Sequence, residues 1–393
     1  MPRVELARST GLSFPAISAI TSKLIAEELL CEAETEASPA GSWPDDSGEE
    51  DADVANGRRR GRPAVLLTLN PEFGRIIAVS LRMNLIETLI ADFSGAGIAQ
   101  SRLELATRAL DADAVCNLVI AQIDAILEST ATPRDGLLGI GIALQGIVNA
   151  DTGHHLWSPA LSITDIDLAK PIRQAFGVEV VMVNDAVAVA LALVAAEPAL
   201  AQGLSATIMV GHGVGMGVII DGEARFGADA GSEIGHVKLA PDGSQCRCGQ
   251  RGCIEAYLAD YALYRDARTF LDLPPAASQQ PSETQMALLR ERAISGDPRL
   301  EQLFRQAGYA LAEAVAATIS VLRPHHVILA GPGLQSFAMM RRAYEERLEQ
   351  AVLPWLLKST TIYMRPSESA AIVDGMMRRT QRVVDRNYME ATE

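Results

Sequence analysis

The residues best suited to chemistry lie between His236 and Cys253. Three thiols occur in the run Cys246-Arg247-Cys248-Gly249-Gln250-Arg251-Gly252-Cys253, and the imidazole of His236 precedes them. Three thiolates and one imidazole supply the four soft or borderline ligands of a closed tetrahedral zinc site, with glycines that let the backbone fold tightly around an ion. A closed set leaves no position for a reacting water, so the expected zinc is structural. The alternative is free thiols in a loop, although a Cys-His cluster this dense is rarely idle. Cys31 and Cys116 stand alone, and the distribution of all five cysteines is unlike an extracellular disulfide framework. The pairs His154-His155 and His325-His326 read as solvated loop residues, not as ligands. Gly213, Gly215 and Gly217 form a weak motif, because such runs also serve ordinary tight turns.

These groups need a scaffold, and 393 residues at 48% hydrophobic content suffice for a small head and a body of two α/β lobes. No stretch approaches the roughly 20 uncharged apolar residues that cross a bilayer, and Met1 to Thr10 lacks a signal-peptide core, so a cytoplasmic location without membrane contact is expected. From Gly74 onward strand-like and helical segments alternate: strands over 76–81, 85–92, 138–143 and 179–183, with helices over 112–127 and 168–176 and another from Ala186. That alternation predicts layered α/β structure. A second set runs from Ala206 to Leu239. Val327 to Ala330 reads as a late buried strand, and Ala307 to Val321 as a small-residue helix suited to close packing.

The N-terminal segment has a different character. Arg3 to Thr10 reads as a short helix, Gly11 as a turn, and Ser13 as the N-cap of a second helix, in which Ile17, Ile20, Leu24 and Ile25 are expected to form a buried stripe. Such a pair is a helix-turn-helix candidate, with an ordinary helical hairpin as the alternative. The net charge of −15 argues against a nucleic-acid partner only on average. Residues 32–57 hold nine acids and no base, and then Arg58, Arg59, Arg60 and Arg62 follow at once. The acidic stretch lacks periodicity and apolar content and is expected to be a mobile loop. Residues 62–69 read as the strand that returns from it, the second strand of a winged helix.

Together, Gly231-Ser232-Glu233-Ile234-Gly235-His236 and the cysteine run ending in Cys253-Ile254-Glu255 resemble the signature of the ROK family of repressors, open reading frames and sugar kinases. The resemblance extends to Gly139-Ile140-Gly141-Ile142-Ala143, Val183-Asn184-Asp185-Ala186 and Gly213-Val214-Gly215-Met216-Gly217, and with the head and Gly61-Arg62-Pro63 it points to the xylose and N-acetylglucosamine repressor branch. It implies an actin-like, two-lobed sugar-kinase fold carrying a winged helix-turn-helix head. The corresponding expected layout is a head over 1–70, one lobe over 71–200 to which a helix over 366–393 returns, and a second lobe over 201–365 with the zinc site. A sugar is expected in the cleft between the lobes, and a homodimer or higher homo-oligomer as the assembly.

Carried over from the family, Asn184, Asp185, Glu233, His236 and Glu255 are the expected sugar ligands. Carboxylates and an amide suit vicinal hydroxyls, and His236 would turn one ring nitrogen to zinc and the other toward sugar. Asp185 could instead be a helix N-cap, and Glu255 a solvated first-turn acid. In the family's kinases the residue matching Asp185 is the base, but phosphoryl transfer also needs a phosphate loop and a metal ligand. Where the family has Asp-x-Gly-x-Thr, this chain reads Ser80-Leu81-Arg82-Met83-Asn84, and Gly-Thr-Gly becomes Gly211-His212-Gly213. Neither use of ATP nor enzymatic activity is therefore expected. Pro159-Ala160-Leu161 and Val187 also depart from the family, removing two potential hydroxyl partners.

In the head, the second helix would enter the major groove of operator DNA with Phe14, Pro15, Ser18, Ala19 and Ser22 near base edges and Lys23 near the backbone. Few of these read bases in bidentate fashion, so specificity is expected to lean on shape, with Arg58, Arg59, Arg60 and Arg62 at the minor groove or, alternatively, as a solvated linker run. The chain starts almost on the first helix of the pair, where family repressors have a further helix. The leading expectation is a sugar-responsive regulator of carbohydrate-metabolism genes, a repressor before an activator. A working sugar kinase with an accessory head, and a sensor that binds no DNA, are its rivals.

Overall fold

The computed structural model describes residues 1–33, 65–224, 231–276, 280–365 and 370–391. The chain divides into two compact units, Met1–Gly74 with Asp92–Ala96, and Arg75–Ala91 with Gly97–Glu393.

The first unit opens with α1 (Arg3–Thr10) and α2 (Phe14–Ala26), followed by β1 (Leu30–Ala33) and β2 (Leu66–Leu69). Gly11 ends α1 in the left-handed conformation with φ of 71°, where a side chain would be strained, and the Ser13 hydroxyl caps α2 by accepting from Ala16 N. The two strands form an antiparallel ribbon with Leu30 opposite Leu69. The expected apolar stripe on α2 is narrower than its spacing implied: Ile17 and Thr21 are buried, but Ile20 is 46% exposed. At 100° per residue Ile20 lies 60° from Ile17 on the side away from Thr21, so it misses the face the strands cover. The expected loop also begins too early, because Glu32 and Ala33 are strand residues and Glu32 pairs with Arg3 at 3.2 Å. Arg58, Arg59, Arg60, Arg62 and the rest of 34–64 lie outside the described residues.

The second unit is built on two five-stranded sheets. The first takes β3 (Arg75–Arg82), β4 (Leu85–Asp92), β5 (Gly97–Glu104), β6 (Leu137–Leu144) and β10 (Glu179–Asn184) in the order β10-β6-β3-β4-β5, with α3 (Ala112–Ser129) and α4 (Ala169–Phe176) as its helices. A small sheet of β7 (Ile147–Asn149), β8 (His154–Trp157) and β9 (Ile166–Asp167) lies between β6 and α4 in sequence. Strands β3, β6 and β10 are parallel, and β3 is buried along nearly its whole length, as its apolar run, interrupted only by Ser80, requires. Edge strand β5 instead alternates exposed and half-buried residues.

After α5 (Asp185–Ala196) the second sheet assembles β11 (Leu204–Val210), β12 (Val214–Ile220) and β13 (Glu223–Ala224) with the later β14 (His326–Ala330) and β15 (Thr361–Arg365), in the order β13-β12-β11-β14-β15. The short helices α6 (Glu255–Leu258) and α7 (Asp260–Ala267) follow the cysteine run. Then come α8 (Glu283–Ile294), α9 (Pro298–Leu322), α10 (Phe337–Ala351), α11 (Pro354–Ser359) and finally α12 (Ala370–Ala391). A Cβ at Gly217 would collide with the carbonyl of Ala186, and one at Gly375 with that of Ala188, so glycine lets β12 and α12 close on opposite faces of one turn of α5. Close packing therefore explains Gly217 without a ligand. Among the described residues no helix is long and apolar enough to cross a membrane.

Candidate functional site

Parallel strands deliver their C-terminal ends to one edge of a sheet, where side chains meet without further design. Leu81 and Asn184 are both level with Leu144, so Arg82, Gln145 and the Asn184-Asp185 pair emerge together from β3, β6 and β10. Gln145 and Asp185 line a cavity with Asn184, Glu233, His236 and Glu255, so all five expected sugar ligands come together.

Each is held differently. Asn184 is the N-cap of α5: its Oδ1 accepts from Ala186 N at 2.8 Å and Val187 N at 3.4 Å, while its Nδ2 donates to the Gly146 carbonyl at 2.7 Å. The capping role considered for Asp185 thus belongs to its neighbour, and much of the Asn184 amide is already engaged. Asp185 is buried and accepts from Ala186 N at 2.9 Å. Burial pushes its carboxyl up to about 7 despite the opposing charge of Arg82. Glu233 is likewise raised to about 7, by burial and then by the charge of Glu255. Glu255 is not the solvated acid considered above. It is 7% exposed, its Oε2 accepts from Val214 N at 3.1 Å, and its Oε1 accepts from the Tyr261 hydroxyl at 3.3 Å.

His236 joins this wall to the cysteines. Its Nδ1 lies 3.7 Å from Cys246 Sγ and its Nε2 lies 3.4 Å from Glu233 Oε2. The sulfurs of Cys248 and Cys253 are 3.8 Å apart, and all four candidate ligand atoms lie within 4.8 Å of one another. Sulfurs about 2.3 Å from a tetrahedral ion would stand about 3.8 Å apart, so the set has the dimensions of a zinc site. Cys246 and Cys253 are buried, and burial pushes the Cys246 thiol up to about 11, a cost that a bound cation reverses.

Tyr261 was not singled out in the sequence. Its hydroxyl stands 3.6 Å from Cys246 Sγ as well as 3.3 Å from Glu255, and the Arg247 guanidinium stacks on its ring at 3.8 Å. Glu255 is on α6 and Tyr261 on α7, separated by the extended Ala259, so no helical periodicity relates them.

The cavity that gathers these five side chains measures only about 30 Å³, room for a water or two, so a sugar enters only if its walls part. A neighbouring cavity of about 410 Å³ shares Gln145, Asp185, Met209 and Gly213 with it and is lined also by Arg82, Arg102 and His212. There Arg82 pairs with the buried Glu87, and Asn84 takes the left-handed turn conformation with φ of 61°. His212 is pushed down to about 4 by burial and by Arg82 and Arg247.

The expected solvation of the histidine pairs holds at His325, which is exposed, and fails at His155, with His154 and His326 half-buried. His155 is fully buried, neither ring nitrogen has a partner, and burial pushes it down to about 4. His325 accepts from Leu204 N at 3.1 Å. In the head, Phe14 is 52% exposed and Ser22 and Lys23 are exposed, whereas Ser18 is partly buried. Lys23 pairs with Glu27 at 3.7 Å.

Comparison with known proteins gives this arrangement a context. The chain is 23% identical over 356 residues to the DNA-binding transcriptional repressor Mlc of Escherichia coli (strain K12), covering 90% of this chain and 82% of that protein. It is 29% identical over 208 residues to the xylose repressor of Caldicellulosiruptor bescii, covering 52% of this chain and 51% of that protein, so it spans about half the length of that relative. A crystal structure of a ROK family transcriptional regulator, a homologue of E. coli Mlc, superimposes with a TM-score of 0.73 at 23% identity over 98% of this chain and 95% of that one. The ROK family model matches residues 92–375, and the chain belongs to that family.

Proposed function

We propose that this chain is a sugar-responsive, DNA-binding transcription regulator of carbohydrate-metabolism genes, acting as a repressor, with a structural zinc and no use of ATP. The observation that carries the reading is the convergence of Asn184, Asp185, Glu233, His236 and Glu255 on one cavity, with His236 shared between that cavity and the cysteine cluster. Two carboxyls near neutrality both donate and accept hydrogen bonds, which suits vicinal hydroxyls. His236, Cys246, Cys248 and Cys253 would hold the zinc, whose bound charge would fix the loop and, through His236 and Tyr261, the orientation of Glu233 and Glu255. Because the cavity must open to admit a sugar, binding moves its walls, which is what a sensor requires.

On this reading α2 presents Phe14, Ser18, Ser22 and Lys23 to DNA, with Arg58, Arg59, Arg60 and Arg62 contributing phosphate and minor-groove contacts. Residues 71–200 and 201–365 are the lobes around the sugar, 366–393 returns to the first, and 1–70 is the head. The names of the relatives support DNA-binding repressor function; a cytoplasmic location, a homo-oligomer and a duplex operator complete the proposed reading. Thermal-shift screening against a sugar library, followed by operator binding with and without the best sugar, tests the reading. A sugar that raises the melting temperature yet leaves DNA affinity unchanged overturns it.

A sugar kinase is the second reading, favoured by the carboxyl of Asp185 near pH 7, where a general base works well. Against it, the segment that the resemblance matches to the family's phosphate loop carries Arg82, which pairs with Glu87. ATP-dependent phosphorylation across the same panel decides. Turnover that disappears in Asp185→Asn establishes the kinase.

A further inference from the structure

A further, separate cavity of about 490 Å³ is lined by Arg379, Arg382, Asp385 and Arg386 of α12, Leu191 of α5, and Glu223 and Ala224 of β13. None of these residues belongs to the sugar wall, the cysteine cluster or the head. The three arginines follow at spacings of three and four, which stacks them on one face of the helix.

Their situation is electrostatically unfavourable as it stands. Arg379 Nε is buried and has no hydrogen-bond partner. Burial and the neighbouring charges of Arg386 and Arg382 push the Arg379 guanidinium below its usual range, while Glu223 opposes them. Arg382 spends one nitrogen on the Gly222 carbonyl at 2.9 Å. The adjoining Arg378 is different, since it pairs with Asp374 at 3.2 Å on the exposed side of the helix. Asp385, the other acid of the cavity, has its carboxyl raised by burial, so its charge is the less firmly held. Among the described residues, three permanent cations therefore share a pocket with two acids, in a chain whose net charge is −15.

A buried N–H without a partner is costly, and guanidinium forks match the oxygens of phosphate in paired hydrogen bonds. We propose that this cavity is a binding site for a phosphate-bearing small molecule, held by Arg379, Arg382 and Arg386. Its volume exceeds what inorganic phosphate needs and falls in the range of metabolite pockets. Leu191 supplies an apolar wall for the remainder of such a molecule.

Isothermal titration of the full chain with pyrophosphate, inorganic phosphate and glycerol phosphate, at ionic strength fixed with chloride, tests the site. Saturable binding of at least one of them is expected, with a dissociation constant at or below about 1 mM. Tighter binding of glycerol phosphate than of inorganic phosphate would identify an ester as the ligand, and the reverse order a free oxyanion. Arg379→Gln should weaken binding about tenfold or more, and Arg386→Gln several-fold. Should Arg379→Gln not fold, Arg382→Gln and Arg386→Gln decide, because both side chains are exposed. Absence of saturable binding, or affinities unchanged in the folded variants, overturns the proposal.

Discussion

Asp185 offers a test of the site that needs no ligand. Its carboxyl is raised from an ordinary 3.8 to about 7, chiefly by burial. A group protonated more readily in the folded than in the unfolded chain stabilises the fold below its unfolded value, and that contribution is lost as pH rises toward the folded value. The window is therefore pH 4 to 7. At 1.36 kcal/mol for each pH unit the gap corresponds to as much as about 4 kcal/mol. The amide introduced by Asp185→Asn would keep the acceptor for Ala186 N but could not ionise. At pH 5 the variant should already melt above the native protein by about 2 to 3 °C, because the unfolded carboxyl is ionised there, and at pH 8 the margin should be several degrees wider, if each kcal/mol shifts a unit of this size about 2 °C. Melting curves of both proteins from pH 5 to 8 provide the comparison, and only the difference between them is read because other groups titrate too. Glu233, also raised to about 7, should leave a residual slope in the variant. If Asp185→Asn melted below the native protein at pH 8, the charge would be sustained by Arg82 and the burial argument would be wrong.

Zinc analysis after dialysis should find about one ion per chain, and Cys246→Ala should abolish it; unchanged content in that variant would break the ligand assignment. Tyr261→Phe keeps the ring under Arg247 but removes the bond to Glu255, so sugar affinity should fall by about fivefold, roughly 1 kcal/mol for a long bond to a carboxylate, with zinc content unchanged. Equal affinity by calorimetry would reduce Tyr261 to a packing residue. On DNA, Arg60→Ala should weaken binding to all duplexes and flatten the salt dependence by up to about one unit of slope, whereas Ser22→Ala should change preference among operators. Identical salt slopes for native protein and Arg60→Ala would make the arginine run a linker.

Much of the body was legible because its signals are local. The apolar run Ile76-Ile77-Ala78-Val79 of β3 reads as a buried strand wherever it lies, and Gly11 followed by Ser13 marks a turn and a cap by their own chemistry. The cysteine cluster was legible because metal-ligand spacing is itself sequence-local, with only His236 supplied from a distance. What escaped depends on juxtaposition. Tyr261 reaches Glu255 across a helix break, and Glu87 reaches Arg82 across a turn whose sequence reads only as a damaged phosphate loop. Ile20 fits a helical period yet is exposed, because period shows which residues share a face and not how wide a strip the neighbouring strands cover. The burial of His155 escaped for a similar reason, since its chain neighbours do not reveal that β8 is sandwiched between two other strands.

On the proposed reading, the two cavities beside Asp185 also bear on why a regulator would retain a residue that the family resemblance matches to the base of its kinases. A base is useful only if a phosphoryl donor is aligned with it, and here the adjoining cavity is lined by Arg82, which pairs with Glu87, and by the bulky, neutral ring of His212. Hydroxyl recognition makes a different demand: a buried carboxyl that is protonated about half the time near pH 7 gives a hydrogen as readily as it takes one. The same burial that would poise Asp185 for proton abstraction thus suits it for binding alone. On the proposed reading, loss of the donor side removes catalysis without disturbing the sugar side. The sugar side is anchored elsewhere, by Val214 N and Tyr261 at Glu255 and by His236 at Glu233.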